Sequence, residues 1–234
     1  MRSVRQHVNP LGLNFQIPRA SAYRRPAHLP AAAPLEVELG CADAHFSFCM
    51  ARAHRDQPVV GLEIREKVVE LNERRARDEG LSNLYFGYVN LNVDLDRVFE
   101  PGTVDRFHLL FPDPWFKSRH QKRRVVDEAL CEVMASQLRP GGELHFASDI
   151  FELALDAMEV LESMKVEAMG FSNMEGAWTF SRRNPSAFAS RRELTTVERG
   201  QRVWRMRYRW SPPERASRAD AKGPGAPSSR AGRE

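Results

Sequence analysis

Leu35-Glu36-Val37-Glu38-Leu39 alternates apolar and acidic positions, the period of a strand, and Gly40 ends it. Asp43 is then placed to cap a helix running to about Arg55, with Ala44, Phe48 and Ala51 at helical spacing. Val59 to Glu63 reads as a second strand, Glu66 to Glu79 as a helix closed by Gly80, and Leu84 to Tyr88 as a third strand. Asn90 to Phe99 reads as a loop with a short helix, and the run from Val104 to Phe111 as a fourth, buried strand. Val125 to Leu138 is expected to be a helix with Val126, Leu130, Val133, Met134 and Leu138 on one face. Pro140-Gly141-Gly142 turns the chain into a fifth strand, Glu143 to Ala147, and Ile150 to Met164 is amphipathic at helical period. This β-α alternation implies a mostly parallel sheet with right-handed crossovers. Late in the chain Trp204, Met206, Tyr208 and Trp210 alternate with Arg205, Arg207 and Arg209, a strand with one apolar and one cationic face.

Composition changes this picture at the two ends. Pro10, Pro18, Pro26, Pro30 and Pro34, with Arg19, Arg24 and Arg25, mark residues 1–34 as an arm, and Pro, Gly, Ser, Ala and Arg dominate 211–234, the composition of a disordered tail. That leaves 35–210 as one domain, long enough to bury a sizeable core. Three cysteines, Cys41, Cys49 and Cys131, form no Cys-x-x-Cys pair, so neither a metal site nor a redox motif is expected. No run of about 18 apolar residues exists, so no membrane span is expected. The first 35 residues contain arginines and no acids but lack the apolar core of a secretory signal, and a cytoplasmic protein is expected. The net charge is only +4, yet positive charge is concentrated locally, the usual footprint of a polyanionic partner.

The chemistry concentrates in Phe111-Pro112-Asp113-Pro114-Trp115-Phe116-Lys117 and the residues after it. Two prolines stop the fourth strand and hold Asp113 just past its carboxyl end, where open α/β sheets bind ligands. Five of the eight residues from Lys117 to Arg124 are Lys or Arg. A fixed carboxylate beside such a run suits a site that acts on a nucleic-acid base while the cations hold phosphates. Glu63 ends the second strand about twenty residues after the first strand-to-helix turn, where an acidic side chain accepts both hydroxyls of a bound ribose; a strand-end carboxylate paired with Arg65 is the plainer alternative.

The whole string Phe-Pro-Asp-Pro-Trp, then Lys, then Arg-His-x-Lys-Arg-Arg, resembles the signature of the tRNA (guanine-N7)-methyltransferases, and the likeness runs from about Leu35 to about Trp210. The resemblance implies a Rossmann-like class I methyltransferase of α/β class: a mostly parallel seven-stranded sheet, helices on both faces, and an antiparallel C-terminal strand at its edge. It implies S-adenosylmethionine as cofactor and methyl transfer to N7 of the variable-loop guanosine at position 46 of tRNA. Glu38, Gly40, Glu63, Asn90 and Asp113 stand at the family's cofactor-contacting positions, and Asp113 is also the expected catalytic carboxylate. The family's glycine-rich turn is here Gly40-Cys41-Ala42-Asp43-Ala44, with alanine at its second and third glycines. Lys117, Asp149, Thr195 and Glu198 match substrate-holding positions, although Val197 stands where an aromatic is usual; Asp149 is also suited to capping the helix that follows it. Arg119, His120, Lys122, Arg123 and Arg124 are the expected phosphate contacts. The expected partner is tRNA, with no membrane and no metal, for a monomer or homodimer. An RNA-binding protein without catalysis, on the same fold, is the alternative that Ala42 and Ala44 keep open.

Overall fold

The computed structural model describes residues 9–10, 12–113, 126–163 and 170–212. Among these, seven strands make one sheet: β1 (Glu36–Leu39), β2 (Val59–Glu63), β3 (Leu84–Tyr88), β4 (Val104–Leu110), β5 (Leu138–Ser148), β6 (Gly170–Asn173) and β7 (Trp204–Ser211). Their order is β3-β2-β1-β4-β5-β7-β6, parallel from β3 to β5 and antiparallel where β7 pairs with β5 and β6. The helices are α1 (His45–Ala53), α2 (Glu66–Asp78), α3 (Leu91–Asp94), α4 (Glu128–Gln137), α5 (Phe151–Ser163) and α6 (Arg191–Glu198). The order reverses between β1 and β4, and such a switch point opens a crevice beyond the carboxyl ends of the strands.

β1 and β2 are buried along their whole length, as strands covered on both faces must be. One face carries the apolar core, with Val37, Leu39, Phe107, Leu109, Leu144, Phe146, Met206 and Tyr208. The other carries a ladder of charge. Glu36 Oε1 accepts from Arg106 Nη1 at 2.5 Å, and a 2.7 Å hydrogen bond joins Glu36 Oε2 to His108. His145 hydrogen-bonds Glu143 at 2.8 Å. Register explains the ladder, because Arg106 lies opposite both Glu36 and Glu143, and His108 opposite His145. Buried charge is tolerated here because each group has an opposite or a hydrogen-bonding neighbour.

Several boundaries differ from the sequence reading for local reasons. Ala44, not Asp43, sits at the N-cap of α1, with φ 53°. α4 begins after Asp127, whose carboxylate accepts from Leu130 N at 2.8 Å, so Val126 precedes the helix. Leu138 opens β5 rather than closing α4, and Pro140-Gly141-Gly142 is a bulge within the strand: Val104 pairs with Leu138 and Arg106 with Glu143. Gly141 takes φ 79° there, open to glycine without strain. β7 is not the sheet's edge. β6 lies outside it, a four-residue strand too short and polar to announce itself. The arginines of β7 face carboxylates: Arg205 meets Glu193 at 2.5 Å, Arg209 meets Glu143 at 3.3 Å and Arg207 meets Glu175 at 3.6 Å.

The N-terminal arm lies along the β3 side. Tyr23 N donates to Val98 O at 2.7 Å, its ring packs against Tyr85 and Phe99, and Arg19 N donates to Asp94 Oδ1 at 2.9 Å.

Candidate active site

A cavity of about 930 Å³ opens beyond the carboxyl ends of the parallel strands. Glu38 and Gly40 reach it from the β1 end, Glu63 from the end of β2, Asn90 from the turn after β3, Asp113 from the turn after β4, and Asp149 from the turn after β5. Thr195 lines it from α6. Glu38 and Glu63 contribute from the last residues of their strands, and Gly40, Asn90, Asp113 and Asp149 from the turns that follow. Glu198 is exposed and not among the lining residues, one turn further along α6 than Thr195. Lys117, Arg119, His120, Lys122, Arg123 and Arg124 lie outside the described residues.

The turn after β1 is wound tightly. Gly40, Ala42 and Ala44 have φ of 72°, 47° and 53°, so both alanines adopt the left-handed conformation that a glycine would take without strain. Asn72 Nδ2 donates to Ala42 O at 2.8 Å, and Ala42 N donates to Glu63 Oε2 at 3.0 Å, which ties this turn to the end of β2. Phe111, a bulky residue, also takes positive φ, 53°, immediately before Pro112. Strain of this kind persists only where the surroundings hold it, and here it turns Asp113 toward the cavity.

The carboxylates differ in their partners. Glu38 is buried, and its Oε2 accepts from the Ser47 hydroxyl at 2.5 Å and Ser47 N at 3.2 Å. Burial pushes Glu38 up to about 8; the Ser47 hydrogen bonds oppose this, and the charges of Asp43 and Glu63 add to it. A cation placed beside Glu38 would hold it ionised. Glu63 is gripped by Arg65, which donates from N at 3.0 Å and Nε at 2.9 Å to Oε1, and from Nη2 at 2.9 Å to Oε2. The Glu63 hydrogen bonds, then the Coulombic pull of Glu63 and Asp113, hold the Arg65 pKa above its ordinary value against burial. Asp149 accepts from Arg192 Nε at 2.8 Å and meets its Nη2 at 2.6 Å, while Ser148 Oγ, not Asp149, accepts from Ile150 N. Arg191 pairs with Asp43.

Asn90 is buried with its amide occupied: Nδ2 donates to Pro10 O and Phe15 O, both at 2.9 Å, and Oδ1 accepts from Asn92 N at 3.3 Å. The arm therefore forms part of the cavity wall, Pro10 included. Arg191 and Arg192 escaped the sequence reading, although two adjacent arginines three residues before Thr195-Thr196 were the available signal. Ser47 was hidden because only the fold brings it to Glu38. Among the described residues no group of His, Cys, Asp and Glu is arranged to hold a metal ion, and no helix is long and apolar enough to cross a membrane.

A seven-stranded sheet in this order, with a carboxylate-rimmed cavity at its switch point, defines a Rossmann-like class I methyltransferase. The same fold is seen in the 16S rRNA methyltransferase KamB (TM-score 0.56, 18% identity, 80% of this chain and 90% of that one) and in an S-adenosylmethionine-dependent O-methyltransferase from Thermotoga maritima (TM-score 0.50, 15% identity, 78% and 61%). The chain belongs to the tRNA (guanine-N7)-methyltransferase family. Residues 32–206 match the family model described as "Putative methyltransferase". Relatives named tRNA (guanine-N(7)-)-methyltransferase include one from Synechococcus elongatus, 40% identical over 67% of this chain and 75% of its own length. One from Nostoc sp. is 35% identical over 88% and 93%, and one from Prochlorococcus marinus 34% over 88% and 87%.

Proposed function

We propose that this protein transfers the methyl group of S-adenosylmethionine to N7 of guanosine in tRNA, at position 46 of the variable loop, as a cytoplasmic monomer or homodimer. The observation that carries the reading is the convergence of Glu38, Glu63, Asp113 and Asp149, from four different strand ends, on one cavity in a chain of this family. When bound, the cofactor supplies an electrophilic methyl group on a sulfonium. The cavity suits a cationic nucleoside: Glu38 is a buried carboxyl with no cation against it among the described residues, and Glu63 lines it where a ribose would lie, accepting its hydroxyls once Arg65 yields. Asn90, held by Pro10 and Phe15, shapes the wall of the adenine end.

Guanine N7 bears a lone pair and no proton, so this chain needs no base to activate it. It needs alignment and a negative group near the purine as positive charge grows there. Asp113 is assigned that role, with Asp149 accepting guanine N–H groups once Arg192 yields, and Thr195 holding another edge of the base. Glu198, exposed one turn along α6 from Thr195, and Lys117 are assigned to the substrate side, and Arg119, His120, Lys122, Arg123 and Arg124 to tRNA phosphates. Residues 35–210 form the catalytic domain in this reading, with 1–34 as an arm and 211–234 as a tail.

Incubation with labelled S-adenosylmethionine and unmodified tRNA, followed by nucleoside analysis, is expected to yield 7-methylguanosine, and a transcript with adenosine at position 46 is expected to yield none. Asp113→Ala, at an exposed position, is expected to lower turnover at least about 100-fold with unchanged melting. Full activity in that variant removes Asp113 from the mechanism. Absence of both cofactor binding and product in the unaltered protein leaves only a non-catalytic RNA-binding role.

A further inference from the structure

Phe151 opens α5 two residues after Asp149, and it is 41% exposed, unusual for so large an apolar side chain beside a polar cavity. It is not an isolated surface residue. Its ring centroid lies 4.6 Å from that of Trp204, and Phe180 lies 5.0 Å from Trp204 on the same cluster. Trp204 and Phe180 are partly buried against the core, so the cluster has a rigid root and one exposed ring. Arg202 places its guanidinium 4.0 Å over the Trp204 ring. Arg182 and Arg183 follow Phe180, and Arg199 precedes Arg202; all are exposed, and among the described residues no carboxylate pairs with any of the four. The two segments that rim the cavity here, Asp149-Ile150 and Arg199 to Gln201, run directly into Phe151 and Arg202.

We propose that Phe151, backed by Trp204 and Phe180 and flanked by Arg202, is a ledge on which an unstacked tRNA base next to the target guanosine stacks. The inference rests on the tRNA-methylating reading above and adds a second nucleotide site to it. A base must leave its stack for a methyl donor in a cavity to reach it, and its neighbour then loses a stacking partner. An exposed aromatic ring at the cavity rim replaces that partner, and unpaired arginines beside it meet the phosphates that come with it. A protein or membrane partner would call for a broader apolar patch than Phe151 with Leu155 one turn along α5, and the stacked Arg202 with exposed Arg182, Arg183 and Arg199 nearby in the chain favours a polyanion.

The test uses the full chain with Phe151→Ala, Phe151→Leu and Phe151→Trp. The Ala and Leu variants are expected to raise the tRNA Kd and KM by about 10-fold, with S-adenosylmethionine affinity and melting temperature unchanged, while Trp stays within about 2-fold of the unaltered protein. 2-Aminopurine placed on either side of the target guanosine is expected to show quenching on binding that the Leu variant loses. A Leu variant with normal tRNA affinity and normal quenching overturns the ledge. Failure of the unaltered protein to methylate tRNA would instead overturn the reading on which the ledge rests, so the two failures are distinct.

Discussion

Ala42 and Ala44 are the residues at which this chain departs from the family's glycines, and both hold positive φ. A left-handed alanine costs about 1–2 kcal/mol, part of which a glycine returns through its freer unfolded state. The two sites differ in burial: Ala44 is fully buried among apolar side chains, whereas Ala42 is half-buried at the cavity. Ala42→Gly is therefore expected to stabilise the protein by about 0.5–1 kcal/mol in urea denaturation. Ala44→Gly is expected to change stability little, because losing a buried methyl, about 0.8 kcal/mol, offsets the relief. A less stable Ala42→Gly would mean that the methyl group makes contacts worth more than the strain. The residue types were readable in the sequence, but their φ was not; only the ligand-bearing pattern of the turn pointed to it. The same limit applied to Glu38, whose position could be predicted while its partner Ser47 depends on tertiary contact; the Glu63–Arg65 pair, two residues apart, was legible in the sequence.

At the scale of elements, α6 and β7 are the pair to weigh. The alternation in 204–210 announced β7, but not that its cations would be matched by carboxylates from elsewhere. α6 is eight residues long and half of them are charged, so its helical period was faint, and its start is fixed by Ser190, whose Oγ accepts from Glu193 N at 3.1 Å. Arg205 fastens the two elements together: its side chain is 13% exposed and that of Glu193 only 6%, with contacts of 2.5 and 2.9 Å. Removing one partner of such a pair strands the other charge, so Arg205→Ala is expected to lower stability by about 3 kcal/mol. Arg209, half-exposed against Glu143, is expected to contribute less than about 1 kcal/mol by the same substitution. Guanidinium titrations of the two variants decide it; equal losses would show that α6 is held by its apolar contacts instead.

The whole molecule was most legible where a period was long and uninterrupted. β2 and β3 span the residues read as the second and third strands, and the class of sheet followed from the order of strands and helices. What stayed hidden was the sheet's second face, because a buried charge ladder looks in sequence like ordinary solvent-facing polarity. That ladder couples the fold to pH. His145 donates from one ring nitrogen to Glu143, while its buried Nδ1 has no partner, so a second proton would sit where nothing accepts it. Burial, with His108 and Arg106 nearby, pushes His145 down to about 4, against 6.5 for the unfolded chain. The His145 hydrogen bond, with Arg106 and Arg209, takes Glu143 down to about 2. For Glu36 burial works upward, but the His108 hydrogen bond and the neighbouring cations outweigh it and leave it lowered. As pH falls below 6.5 the unfolded chain therefore takes up a proton that folded His145 refuses until about pH 4, and below about 4.5 the carboxylates extend the same loss. From His145 alone stability is expected to drop by about 3 kcal/mol as pH falls from 6.5 to 4, while Glu38, raised to about 8, works in the opposite direction between about 8 and 4.5. Urea denaturation at half-unit pH steps checks this, with His145→Gln as the comparison: the stability difference between the two proteins should change by about 3 kcal/mol between pH 6.5 and 4, while both keep the contribution of Glu38 and the other carboxylates. A variant whose profile matches the unaltered protein throughout would place the pH-sensitive group outside the ladder.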